Sequence, residues 1–407
     1  MVFHGPAAKA VRGGNRPGED TMISRTIALA AAAGLLGTAA GAQDAYRIGL
    51  SGALTGPVAG SYAPAIEGLQ LYINRLNEGG GIDGHPVELI VLDDSGEPSR
   101  GATNSRRLLG QEEVVLMINA SLSSTYAPMM ADARRAGVPL LFAASACPAE
   151  VYPPAEPLLF CTTAFAARYD SQATLDFIEA QAGTDISLGL SAMAIPLSRG
   201  EIEAAEGLAT ERGMRPQAPT IVPPPTADYT PFATTISQAG ADWVYSWAPW
   251  VTEVRTFEAL RRLGWEGEYI AWAHLEAEGE LARLQDEGFY AIGANSLFAE
   301  DLPVHQEIRA AAEAAGATYA PDQMAEGWIA GLVIDAALQS AGWPADAEAV
   351  NAAMENLNVD TQGLRGGPIE WTPENHFRAT QYYRVYRWNA DEGAIDVVQD
   401  WAAYTVE

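Results

Sequence analysis

From Tyr46 onward the chain alternates short apolar runs with helical periods, and this alternation limits its fold more than any other feature. "YRIGLSG" predicts a strand, "PAIEGLQLYINRLNEGGGI" an amphipathic helix stopped by glycines, and "HPVELIVLDD" the next strand. The pattern continues through "PSRGATNSRRLLGQ", "VVLMINA", "SSTYAPMMADARRAG" and "VPLLFAAS" as helix, strand, helix, strand. Such a βαβαβαβ series requires a parallel sheet with right-handed crossovers. A second series begins after Thr163: helix in "DSQATLDFIEAQAG", strand in "DISLGLSAM", helix in "IEAAEGLATERG", then "APTIVPPP" as a strand. It runs on through "YTPFATTISQAG", "ADWVYSWAP", "EVRTFEALRRLG" and "EYIAWA". The fold class is therefore α/β, with two doubly wound parallel-sheet units in tandem and no residue-level repeat between them. At the C-terminus "PIEW", "ATQYYRVYRW" and "AIDVVQDW" predict antiparallel strands rich in aromatics.

The 407 residues fit two domains or lobes at roughly 100–200 residues per domain. Residues Met1 to Asp20 are rich in Gly, Pro and basic residues and carry no apolar period. "MISRTIALAAAAGLLGTAAGAQDAY" reads as a secretory signal, with Arg25 in the basic region, an apolar stretch from Ile27 and Ala40-Gly41-Ala42 as the cleavage site. Cleavage is predicted before Gln43, with Met22 as the true start. The apolar stretch is too short and too alanine-rich for a lasting anchor, and no cysteine follows to take a lipid. A soluble protein exported to a periplasm is expected.

The formal charge of −28, with Lys9 the one lysine, argues against a nucleic-acid partner, because phosphate binding needs a basic surface. Cys147 and Cys161 bracket "PAEVYPPAEPLLF"; in an exported chain an even count favours a disulfide, with two buried thiols as the alternative. Two cysteines and five scattered histidines offer no metal-ligand spacing, so no metal and no cofactor are expected. "GLSGALTGPVAG" looks superficially like a nucleotide loop, but it lacks GxGxxG and the P-loop GK[ST]. No G-x-S-x-G elbow is present, and the sequence sets no histidine beside a serine.

The chemistry concentrates where strands end in hydroxyls. In open α/β sheets ligands bind beyond the carboxyl ends of strands. "NASLSST" lies there and leads into a helix, whose free N–H groups and a serine hydroxyl make a carboxylate site without a cationic side chain. Ser123 or Ser124 would equally serve as a plain helix cap. "LLFAASACP", with Ser145, repeats the arrangement after the next strand.

Four stretches together, "YRIGLSGALTGPVAG", "NEGGGIDGHPVELIVLDDSGEP", "ADYTPFATTISQAGADWVY" and "GGPIEWTPENHF", resemble the leucine/isoleucine/valine-binding family of periplasmic solute-binding proteins that serve ABC importers. The resemblance covers nearly all of the chain from Tyr46. It implies two lobes joined by three hinge crossings: 43–163 plus 297–364, and 164–296 plus 365–407. A small-molecule ligand would be trapped in the cleft between them, and the partners would be the permease subunits in the inner membrane. The family habit implies a monomer. Carried onto this sequence, Ser123 would hold a ligand carboxylate, Ser145 would donate a hydroxyl, Ala143 would offer a carbonyl, and Ser61 and Tyr62 would sit at the cleft rim.

The second lobe departs from the family pattern. The expected tyrosine-glycine falls at Arg199-Gly200, and the acidic partner of a ligand ammonium is replaced near Trp272 to His274, with Glu276 and Glu278 further on. Trp247 and Trp250 are candidates to stack on a flat ligand or to pack in the core. Arg199 is a surface arginine, the commoner case, or a candidate for a bidentate pair with a carboxylate. A branched-chain amino acid and an aromatic acid both stay open as ligand. A sensory module of the same fold and a serine hydrolase are the rival readings.

Overall fold

The computed structural model describes residues 45–407 except 168, 225 and 273–276. The expected leader and cleavage site, and His274 and Glu276, lie outside the described residues.

The apolar runs form the first sheet: β1 (Tyr46–Gly52), β2 (Val87–Asp93), β3 (Leu116–Ala120), β4 (Leu140–Phe142) and β5 (Leu159–Cys161). All pair in parallel in the order β2-β1-β3-β4-β5. Helices α1 (Ala63–Glu78), α2 (Pro98–Gly110) and α3 (Tyr126–Ala136) make the crossovers. α1 carries a proline in its first turn, buries Ile66, Leu69 and Ile73 on one face, and ends before Gly80 and Gly81, both at positive φ.

The second sheet is built from α4 (Tyr169–Ala182), β6 (Ser187–Met193), α5 (Pro196–Glu211), β7 (Arg215–Pro216), β8 (Thr220–Val222), α6 (Thr230–Gln238), β9 (Trp243–Trp247), α7 (Trp250–Arg262), β10 (Glu268–Trp272), α8 (Ala277–Leu284) and β11 (Phe289–Gly293). Strand β6 lies between β9 and the β7/β8 edge, so this sheet repeats the strand order of the first.

The chain then returns to the first lobe as α9 (Pro303–Ala315), α10 (Ala325–Ala341), α11 (Ala347–Met354) and the small pair β12 (Asn358–Val359) and β13 (Ile369–Glu370). α10 packs directly on α1, and the approach is close at Gly327, where a Cβ would fall 1.7 Å from the Ala65 carbonyl oxygen. Finally β14 (Thr380–Asn389) and β15 (Ala394–Thr405) add an antiparallel hairpin to β11. Two expectations shift here. β13 pairs with β12 rather than with the C-terminal hairpin, and Ile369 and Trp371 sit in the first lobe's core. The third crossing thus follows Trp371 instead of falling after residue 364.

Three crossings, at 162–167, 294–297 and 372–379, connect the sheets, and buried arginines tie them together. Arg378 Nη2 donates to the Thr163 carbonyl at 2.6 Å and to Thr162 at 3.2 Å. Arg365 donates to the Thr162 carbonyl, to Asn295 Oδ1 at 3.2 Å and to the buried Glu326 carboxylate at 2.5 Å. Asn295 Nδ2 returns to Glu326 Oε1 at 3.0 Å. Cys147 and Cys161 are joined by a disulfide beside the first crossing. Among the described residues no helix is long and apolar enough to cross a membrane, and no cluster of His, Cys, Asp and Glu fits a metal.

Candidate ligand-binding cleft

A strand order of 2-1-3-4-5 reverses direction between its first and third strands, and ligands bind outside the carboxyl ends at that switch point. Here both sheets have that order, and their switch points face each other. The first lobe offers the loops after β1 and β3; the second offers the loops after β6 and β9.

Adjacent aspartates at the end of β2 build the first-lobe side. Asp93 accepts from the backbone N–H and hydroxyl of Thr55 at 3.2 and 2.6 Å, from Leu54 N–H at 3.1 Å, and from Ser95. Burial works to raise its pKa, but these hydrogen bonds, led by the hydroxyls of Thr55 and Ser95, outweigh it and hold the carboxyl at about 2. This fixes the loop that leads to Ser61 and Tyr62. Asp94, raised by burial, accepts from Ser121 Oγ at 2.6 Å and Ser51 Oγ at 2.8 Å, which fixes the loop after β3.

Between the lobes lies an apolar cavity of about 30 Å³. Four rings line it: Tyr62, Tyr126, Phe165 and Trp247. Ser123 reaches it from the first lobe, and Ile195, Leu197, Ala248 and Pro249 from the second. Ser123 Oγ accepts a hydrogen bond from Leu197 N–H at 3.2 Å, so one bond joins the lobes across the cleft. Leu197 lies in the first turn of α5, and Tyr126 opens α3; neither helix is capped by the side chain of its own N-cap residue, Ile195 or Thr125. Two helix N-termini therefore meet at the cavity, each favouring negative charge. The start of α7 is already answered, because Glu253 Oε1 accepts from Ala248 N–H at 3.1 Å.

The sequence-predicted residues divide. Tyr62, Ser123 and Trp247 line the cavity. Ser124, half buried, does not. Ser145 is a correction: its hydroxyl turns into the core, accepting from Ser121 N–H at 2.9 Å and bonding Asn119 Oδ1 at 3.0 Å. Ala144 just before it takes a positive φ of 57°, so Ala144 and Ala146 face the cavity where Ala143 and Ser145 were expected. Trp272 is likewise corrected; its indole is buried in the second-lobe core, tilted on Phe165 and edge-on to Tyr383. Arg199 is exposed on α5, one turn beyond the cavity wall. Ser61 and Trp250 are buried outside the inner cavity, at a separate recess.

Sequence reasoning missed Tyr126, Phe165, Ile195, Leu197, Ala248 and Pro249. The available signal was position, since "AIPL" and "WAPW" directly follow second-lobe strands as "NASLSST" follows a first-lobe strand.

One serine–histidine pair exists among the described residues, Ser296 Oγ with His305 Nε2 at 3.0 Å. His305 Nδ1 accepts from Leu302 N–H, so in the neutral ring Nε2 carries the proton and donates to the serine. That tautomer cannot take a proton from Ser296.

The comparisons agree with this geometry. A family model described as "Periplasmic binding protein" matches residues 45–394. The Leu/Ile/Val-binding protein homolog 3 of Brucella melitensis is 33% identical over 89 residues, 22% of this chain and 24% of that protein, so the match spans about a quarter of the relative's length. A branched-chain amino acid ABC transporter structure from Thermus thermophilus with bound valine superposes with a TM-score of 0.76 at 18% identity, covering 88% of this chain and 97% of the other. An R. palustris solute-binding protein in complex with benzoate gives 0.74 at 19% identity, covering 89% and 97%. With two opposed switch points, three crossings and a family match along nearly all of its described length, the chain belongs to the periplasmic binding protein family and has its two-lobed type I fold.

Proposed function

We propose that this protein is the extracytoplasmic solute-binding component of an ABC importer and captures a small carboxylate with a flat, aromatic body. The observation that carries this reading is the cavity wall. Two helix N-termini without a cap of their own and the Ser123 hydroxyl suit a carboxylate, four rings suit a flat apolar body, and none of the described lining residues is acidic. A ligand ammonium would be desolvated there with no acidic group among the described lining residues to pair with, Glu253 being engaged behind the wall by Ala248 N–H. The benzoate-bound R. palustris protein supports the same choice of ligand, and the valine-bound Thermus thermophilus protein supports the amino-acid alternative.

The mechanism needs no catalysis. The ligand's carboxylate enters beside Ser123 and takes the place of the Ser123–Leu197 bond. Trp247 and Phe165 then close over the ring as the lobes pivot on the crossings. Binding free energy selects the closed form, whose joined surface docks on the permease in the inner membrane. A thermal-shift panel of benzoate, phenylacetate, leucine and valine tests the reading, since a ligand of the folded form raises the melting temperature. Shifts with the aromatic acids are expected; shifts with leucine and valine alone would overturn it.

A further inference from the structure

Beyond the inner cavity the lobes border a second, open recess of about 450 Å³, lined about equally by polar and apolar groups where the inner cavity is mainly apolar. Ser61 and Gln323 of the first lobe and Trp250, Arg255 and Arg283 of the second line it. The two spaces are neighbours: Ser61 precedes Tyr62, and Trp250 follows Pro249, both of the inner wall. Ser61 Oγ and Trp250 Nε1 are buried and have no hydrogen-bond partner. A buried polar group left without a partner is destabilising, and the indole N–H can only donate. Arg255 and Arg283 share Glu258 at 3.0 and 2.8 Å, and Arg283 also pairs with Glu280, the acidic residue of the recess. Each guanidinium has five N–H donors and keeps some to spare.

Size connects the recess to the ligand. The inner cavity, at about 30 Å³, has room for little more than one water, so a ring seated at Ser123 extends toward the recess. We infer that the recess is a second ligand subsite, which takes the far end of an elongated aromatic acid and selects a hydrogen-bond-accepting or anionic group there. The favoured class is an aromatic acid with a second carboxylate opposite the first. This rests on the aromatic-acid reading above.

Calorimetry on the purified protein with benzoate and benzene-1,4-dicarboxylate tests it. The dicarboxylate is expected to bind about tenfold tighter, the effect of one charged hydrogen bond. Arg255→Gln, at an exposed position, should remove most of that advantage and leave benzoate binding within about twofold. Trp250→Phe keeps the ring and removes the donor, and it should weaken the dicarboxylate. Equal binding of the two acids, or an equal loss for both in Arg255→Gln, overturns the subsite while leaving the aromatic-acid reading intact. Binding of leucine with neither acid bound overturns both.

Discussion

Trp247 Nε1 donates to Asp170 Oδ2 at 2.9 Å, so the indole that walls the cavity is held from behind by a buried carboxylate. Tyr383 OH donates to the other oxygen at 2.8 Å, and Ala166 N–H reaches both at 3.1 Å. Burial, then the nearby Glu201 charge, pushes the Asp170 pKa well up, and these donors oppose the shift. Asp170→Ala would leave the indole N–H and the Tyr383 hydroxyl without an acceptor. The expected loss is about 2–4 kcal/mol of stability in urea melts, with ligand affinity falling beyond the effect on stability. Asp170→Asn keeps an acceptor and should be milder on both counts. An alanine variant with unchanged affinity would separate the carboxylate from the cavity.

Ser123→Ala should weaken ligand binding by about 1–3 kcal/mol, the range for a lost charge-assisted hydrogen bond. Calorimetry at constant pH reads this directly. Unchanged affinity would remove the loop after β3 from the carboxylate site.

At the hinge, Glu326→Ala would leave Arg365 buried without its carboxylate, and a loss of about 3–5 kcal/mol is expected. Glu326→Ala combined with Arg365→Met should recover much of that stability, because the penalty is the unpaired charge. A single variant as stable as the parent protein would contradict the role given to this pair.

Asp93 supplies a pH signature. Its folded pKa of about 2 is below the ordinary carboxylate value of 3.8. A depressed carboxylate stabilises the fold above its unfolded pKa, and that contribution fades as pH falls through the folded pKa. Wild type should therefore exceed Asp93→Asn by roughly 1–2 kcal/mol at pH 5, allowing for the partial exposure of the group. The two should converge near pH 2. A gap that widens toward pH 2 would reverse the sign and refute the assignment.

Opening the disulfide between Cys147 and Cys161, 14 residues apart, frees a loop whose closure contributes about 3 kcal/mol. A lower melting temperature is expected in Cys147→Ser/Cys161→Ser. An unshifted melt would show that the first crossing does not depend on the bond.

Much of this fold is legible in the sequence because strand and helix periods differ, and β1 through β4 announce themselves as apolar runs between amphipathic stretches. The return of α9 to α11 to the first lobe is carried by no local signal. α10 is buried on nearly every side, which erases the periodicity by which an amphipathic helix is recognised. At the cleft the sequence indicated which loops matter but not which side chains turn inward. One positive φ at Ala144 decides between Ser145 and its alanine neighbours. Trp247 and Trp272 both end second-lobe strands; Asp170 holds the first at the cavity, and Tyr383 and Phe165 take the second into the core. Contacts between residues more than 75 positions apart settle that difference.

The proposed site takes a carboxylate and, among the described lining residues, offers an ammonium no acidic partner. Calorimetry with 3-phenylpropanoate and phenylalanine tests it most directly, because the two share a body and differ in the ammonium alone. 3-Phenylpropanoate should bind, and phenylalanine should bind at least about tenfold more weakly, the cost of an unpaired buried charge. Phenylalanine binding as tightly as 3-phenylpropanoate, or more tightly, would contradict it.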